Sequence, residues 1–223
     1  MKEIKIHDMP KLESPFEREE TDKGYVCIPK FREEYKWIFD EKVCNASEKF
    51  DGTNVSILIE DGVIKNCWNR TERLPFFNKG KKHIIEGLLN SYERGYMEFL
   101  EDEQHFGELL GPKVNSNPSK LEQHLWLPFK RVREKYEYKF WHNFVKDELD
   151  LKEDFDNCPK ILNKIEELFK GLRSRWFITR GSKEGELAEG IVFFNKETGQ
   201  MCKLRRDMFS NFEGKSHHRR VLK

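Results

Sequence analysis

Glu48-Lys49-Phe50-Asp51-Gly52-Thr53-Asn54 stands between an aromatic run holding Trp37 and Phe39 and an alternating apolar run, Val55, Ile57 and Ile59. A lysine followed closely by Asp-Gly sits at the mouth of a tight turn, because glycine takes left-handed backbone conformations at little cost and aspartate hydrogen-bonds its own backbone. Such a bend projects one amine from a fixed point, which suits a covalent lysine nucleophile. A solvent lysine beside an ordinary hairpin turn would read the same way over these seven residues, so the rest of the chain has to discriminate.

Downstream come HFGELLG (105–111), HLWLPFKR (124–131), EGIVFFN (189–195) and MCKLRR (201–206). With the lysine stretch, they resemble in order and spacing the motifs of the covalent nucleotidyltransferase superfamily, which comprises ATP-dependent DNA and RNA ligases and mRNA capping enzymes. Asn54, five residues after Lys49, is similar to the RNA ligases that seal nicks in phage and RNA-editing systems, where DNA ligases and capping enzymes usually carry arginine. The resemblance spans about residues 10–206, with Pro10 to Arg18 a vaguer match to the leader of small phage-type RNA ligases.

Composition bounds the reading. At 223 residues the chain is one large domain, or one with a small appendage, and can bury a sizeable core. The 41 Lys and Arg nearly cancel the 40 Asp and Glu, so affinity for nucleic acid has to come from local basic patches. Aromatics at 13% support a core and leave rings to stack on bases. Five cysteines without a C-x-x-C pair indicate neither a disulfide framework nor a zinc site and fit a reducing cytosol. The charged N-terminus lacks an apolar signal core and no stretch is long and apolar enough for a membrane span, so a cytoplasmic protein, in the host cytoplasm if phage-encoded, is expected.

Periodicity supplies the coarse elements. Pro10, Pro15 and Pro29 limit residues 1–36 to loops and short strands. Trp37 to Val43 reads as a strand leading to Lys49, interrupted at Asn45-Ala46-Ser47. Asn54 to Glu60 alternates, Asp61-Gly62 signals a hairpin, and Val63 to Trp68 returns. Lys82 to Leu100 and Lys160 to Leu172 are amphipathic helices; Gln104 to Leu110 and His124 to Val132 are strands. Glu189 to Phe194 and Gln200 to Arg205 form a second hairpin about the turn at 195–199, whose alternation puts Lys203 and Arg205 on one face. Two cations side by side are costly unless an anion lies between them, and a triphosphate suits that place. Their repulsion would favour a neutral amine on a neighbouring lysine, and so activate Lys49.

The expected fold is α+β, antiparallel sheets flanked by helices. The resemblance implies a ligase-type nucleotidyltransferase domain, ATP-grasp-like, over residues 37–206, behind a leader at 1–36. The tail at 207–223 is too short for the oligonucleotide-binding barrel of larger relatives, and its basic end, Lys215 to Lys223, reads as unstructured in preference to an RNA-backbone contact. The resemblance also implies catalytic roles for Lys49, Lys203 and Glu189, with Glu189 on a hydrated Mg2+ or Mn2+. It implies nucleotide contacts from Glu48, Asp51, Gly52, Asn54, Arg70, Glu108, Phe129, Lys203 and Arg205. Glu108 is matched to the ribose hydroxyls, and Phe129, with Trp126 as the alternative, to base stacking. The implied activity is that of an ATP-dependent RNA ligase: lysyl-AMP forms, AMP passes to an RNA 5′-phosphate, and a 3′-hydroxyl seals the strand, with an accessory protein conceivable at joining. A capping-type guanylyltransferase or a DNA ligase is the alternative.

Overall fold

The computed structural model describes residues 6–22, 24–75, 79–151, 158–183 and 185–213. The chain divides at the Lys11–Leu12, Lys49–Phe50 and Lys135–Tyr136 bonds into two compact units, Met1–Lys11 with Phe50–Lys135 and Leu12–Lys49 with Tyr136–Lys223. The Lys-x-Asp-Gly stretch is therefore shared, its lysine closing one unit and its turn opening the other.

In the first unit, β4 (Thr53–Glu60) and β5 (Val63–Asn69) form the expected hairpin, turning at Asp61 and Gly62, both with positive φ. With β6 (Glu72–Leu74), β7 (Gln104–Leu110) and β8 (Leu125–Pro128) they make an antiparallel sheet ordered β6-β5-β4-β7-β8. The period-two pattern puts Val55, Ile57, Cys67, Leu109 and Trp126 on one face, and α1 (Lys82–Glu93) lays Ile84 and Leu88 against that core. Ser91 ties helix to sheet, its Oγ donating to Trp126 O and accepting from Trp126 N.

Two expectations are corrected here. The helix expected over Lys82–Leu100 ends at Glu93, because Gly95 turns the chain in a left-handed conformation that brings Met97 back to the core while Leu89 and Tyr92 stay exposed. The strand expected over His124–Val132 ends at Pro128, which has no N–H to extend a ladder, and Phe129 opens α2 (Phe129–Lys135).

In the second unit, β1 (Phe16–Thr21) and β2 (Gly24–Phe31) pair as a hairpin within the leader, and β3 (Cys44–Lys49), β9 (Gly190–Asn195) and β10 (Met201–Arg205) form an antiparallel sheet ordered β10-β9-β3. The strand expected over Trp37–Val43 is instead a 3-10 helix, Glu33–Phe39, whose buried residues Tyr35, Ile38 and Phe39 have helical spacing. Asn45-Ala46-Ser47 is not an interruption but the middle of β3, where Ala46 meets the core. Helices α3 (Phe140–Glu148) and α4 (Cys158–Lys170) pack Trp141, Ile161, Ile165 and Phe169 against Cys44, Ile191, Phe193, Cys202 and Leu204. A short helix, α5 (Arg175–Ile178), precedes β9. These units give the antiparallel sheets and flanking helices of an α+β chain. No helix among the described residues is long and apolar enough to cross a membrane. The basic end from Lys215 lies outside the described residues.

Candidate active site

The β3–β9–β10 sheet has two chemically distinct faces. Cys44, Ala46, Ile191, Phe193, Cys202 and Leu204 enter the core, so by alternation Ser47, Lys49, Val192, Lys203 and Arg205 share the other face. Lys49 lies opposite Gly190, and Gly190 opposite Arg205, forming one row across three strands. A Cβ on Gly190 would stand 2.1 Å from Leu204 O and 2.7 Å from Arg205 Cα. The glycine after Glu189 therefore permits the close approach of β10.

Lys49 Nζ donates to Glu189 Oε2 at 2.8 Å, with side-chain exposures of 19% and 13%. Lys203 stands beside this pair. Burial, then the charges of Lys49 and Arg205, lower the Lys203 ammonium to about 8. Mutual repulsion among the cations of this face is thus seen at Lys203. Arg205 is buried and pairs with Asp207, Nε to Oδ1 at 3.0 Å. The leader adds two contributions that motif reading missed: Glu13 O accepts from Lys203 N at 2.9 Å, and the charge of Arg18 also acts on Lys203. Strand pairing in a sequence without a turn signal between its members is invisible before folding.

Glu48 is a correction. As the neighbour of Lys49 in a strand it points to the opposite, core face, where its carboxylate accepts from Ser174 Oγ at 2.5 Å and Trp176 N at 2.8 Å. Its side chain thereby binds the start of α5 and is not presented on the face that carries Lys49. Burial raises it to about 7, against the opposing effect of these hydrogen bonds.

The first unit has its own polar face. Asn54 pairs with Glu108, and Ser56 lies between Trp68 and Phe106, on the side opposite Val55, Ile57 and Leu109. Asn54 Oδ1 is buried and has no hydrogen-bond partner among the described residues. Gly52 does not need a left-handed conformation, contrary to expectation. Its lack of a side chain admits β7, since a Cβ there would meet Glu108 Cγ and Leu109 O at 2.5 Å. Asp51 Oδ1 and Gly52 O both accept from Asn115 Nδ2, at 2.7 and 2.9 Å, so an asparagine from a distant loop, itself at φ 45°, secures the turn. Nothing in the sequence singled out Asn115.

Arg70 is exposed at the bend between β5 and β6, with φ of 56°. Trp126, the alternative stacking ring, is excluded from that role: it is fully buried and its Nε1 donates to Val55 O at 3.0 Å. Phe129 is partly buried at the first position of α2, immediately beyond the strand in which Leu127 lies opposite Glu108.

Solved RNA ligases are among the structures this chain resembles. A mutant Naegleria gruberi RNA ligase with ATP and Mn matches over 90% of this chain and 56% of its own, at 14% identity and a TM-score of 0.48. An apo mutant of that enzyme matches over 92% and 58%, at 14% identity and TM-score 0.45, and its structure with PPi over 73% and 49%, at 15% and 0.44. The chain spans about half the length of these structures. Identities and scores at this level carry nothing about chemistry. No protein-family model and no curated protein matches the sequence.

Proposed function

We propose that this chain is an ATP-dependent RNA ligase of the lysyl-AMP type, built on a ligase-type, ATP-grasp-like nucleotidyltransferase domain. The observation that carries the reading is the row Lys49–Gly190–Arg205 with Lys203 beside it: a lysine ion-paired to Glu189 on a sheet face bearing two more cations. Such a face is suited to a polyphosphate, whose charge relieves the repulsion among its amines.

In the proposed first step, the neutral Lys49 Nζ attacks the α-phosphorus of ATP, the bond from that phosphorus to the bridging oxygen of pyrophosphate breaks, pyrophosphate leaves, and the proton displaced from nitrogen passes to solvent water. Lys49 is a nucleophile only as the neutral amine, so the Glu189 carboxylate has to release it. Lys203 and Arg205 supply positive charge where negative charge develops, and Lys203 gains its proton fully once a phosphate is near. No cluster of three or more His, Cys, Asp or Glu suited to a metal occurs among the described residues. A Mg2+ or Mn2+ fits the single carboxylate of Glu189, with phosphate oxygens and water completing its shell. When bound it neutralises developing phosphate charge. Glu189 is the residue that would hold such an ion, and its carboxylate is the group now engaged by Lys49 Nζ.

By the resemblance, the ribose contact would fall to Glu108, the base to Phe129, and further nucleotide contacts to Asp51, Gly52, Asn54 and Arg70. Transfer of AMP to an RNA 5′-phosphate and sealing by a 3′-hydroxyl would follow. Incubation with α-labelled ATP and a divalent metal, followed by a denaturing gel, tests the reading. Label should stay on the wild-type chain and be absent from Lys49→Ala. Full labelling of the variant would sink the assignment, and preferential labelling by GTP would move the protein to the capping class.

A further inference from the structure

The polar face of the β6-β5-β4-β7-β8 sheet carries more than the Asn54–Glu108 pair. Two residues along β4 and β7 from it, Ser56 lies between Trp68 and Phe106, and one row further Gln104 stands opposite Leu58. Both rings are partly buried, and neither joins the apolar core on the other face. One residue of the leader lies on this row. Gln104 Oε1 accepts from His7 N at 2.9 Å, and Gln104 Nε2 donates to His7 O at 2.8 Å and to Ser56 Oγ at 3.1 Å. The His7 ring lies 5.1 Å from the Phe106 ring, tilted by 54°. His7 and Gln104 both belong to the first unit.

The fit is chemically specific. A side-chain amide sets a donor beside an acceptor, and here it meets the complementary pair on one residue while a planar ring meets Phe106. A nucleobase offers the same two features. Its edge carries a donor next to an acceptor, which glutamine reads on adenine with two bonds, and its flat face stacks on aromatic side chains displayed by a sheet. The leader residue is also readily replaced. His7 and Ile6 are exposed, so lifting them gives up little buried apolar area of their own. The two neutral hydrogen bonds that are lost at Gln104 are exchanged for two of the same kind.

We propose that Gln104 and Phe106, with Trp68 on the same face, form a subsite for an unpaired RNA base, which His7 fills as a stand-in and from which a base displaces it. RNA as the source of that base rests on the ligase reading. There the ribose of ATP falls to Glu108 and its base to Phe129, beyond the strand β8 that pairs with Glu108. Phe106, on the next row of β7, is thereby left to a second nucleotide.

The test uses the full chain and three fluorescein-labelled single-stranded RNA probes of equal length: oligo(A), the same chain with purine lacking the 6-amino group, and the same chain with abasic sites. Binding is measured by anisotropy at about 100 mM salt, with ATP affinity and ATP labelling measured in parallel. Affinity ratios between probes within one protein cancel both the phosphate contacts and the cost of lifting His7. Wild type should prefer oligo(A) to the abasic probe by at least about fivefold, and Phe106→Ala should lose most of that preference while Phe106→Tyr keeps it. It should prefer oligo(A) to the purine probe by about fivefold, and Gln104→Ala, a change outside the core, should erase this ratio even if Phe106→Ala does not fold. His7→Ala should bind oligo(A) several-fold more tightly than wild type. ATP affinity and labelling should be unchanged in Gln104→Ala and Phe106→Tyr. Flat ratios in wild type, or wild-type ratios in both alanine variants at Gln104 and Phe106, overturn the subsite, and normal ATP labelling beside them leaves the ligase reading standing. A loss of ATP affinity as large as the loss for oligo(A) overturns the assignment to RNA and gives the ring to the mononucleotide. If wild type takes no label from ATP while the ratios behave as expected, the ligase reading fails and the base subsite stands.

Discussion

Replacing Glu48 by glutamine should remove a pH dependence from the stability of this protein. The carboxylate is 5% exposed, and burial raises it from 4.5 to about 7. An acid that is raised on folding binds more protons in the native than in the unfolded state between those values, so its contribution is fully present below about 4.5 and is lost as pH rises through about 7. At about 1.4 kcal/mol per unit, the loss is roughly 3 kcal/mol, complete near neutrality. Glutamine keeps the geometry: its carbonyl can accept from Trp176 N, and its amide can donate to Ser174 Oγ, which rotates to accept. Urea unfolding of both proteins at intervals from about pH 4.5 to 8 measures the effect, and the difference between them cancels every other titrating group. That difference should grow in favour of Glu48→Gln by 2–3 kcal/mol, within the order set by the shift. A difference independent of pH would refute the claim that Glu48 is a raised, buried acid, and a large constant loss in the variant would mean that its hydrogen bonds require the ionised form.

Lys203 is lowered to about 8, so ATP affinity should weaken above that pH as the unliganded amine loses its charge, by up to about tenfold per unit. Lys203→Arg should flatten that limb in an equilibrium binding titration, and an unchanged profile would remove Lys203 from the phosphate site. Gly190→Ala places a Cβ 2.1 Å from a backbone oxygen and should cost at least about 2 kcal/mol in chemical denaturation, whereas a loss under about 0.5 kcal/mol would show that β10 can yield. Trp126→Ala should destabilise the first unit by about 3–5 kcal/mol as a core truncation. Phe129→Ala should instead weaken nucleotide binding by roughly 1–3 kcal/mol with little effect on folding, and the reverse pattern in calorimetry and binding would exchange the roles of the two rings.

The local units of this protein are legible in the order of its amino acids. Alternation marked the two hairpins, read over Asn54 to Trp68 and Glu189 to Arg205 and formed over Thr53–Asn69 and Gly190–Arg205, because period two both buries one face and names the residues on the other. The same alternation puts Lys203 and Arg205 on one face. Turn chemistry located Asp61-Gly62 and the 195–199 bend, where Asn195 Oδ1 accepts from Glu197 N and Thr198 N. Packing of distant segments settles the features that local pattern leaves open. It ended the first helix at Glu93, and it buried Trp126 and turned the chain into a helix at Phe129 where local pattern continued a strand. It joined β3 to β9 across 140 residues, which paired Lys49 with Glu189, and it sent Glu48 to the core to hold a loop no motif had marked. It also made Gly52 and Gly190 obligatory through close approach, with φ playing no part. The physical reason is common to all of these: a side chain's neighbours along the chain set its direction, but the groups it meets there come from strands and loops whose pairing is fixed only when the apolar faces find one another.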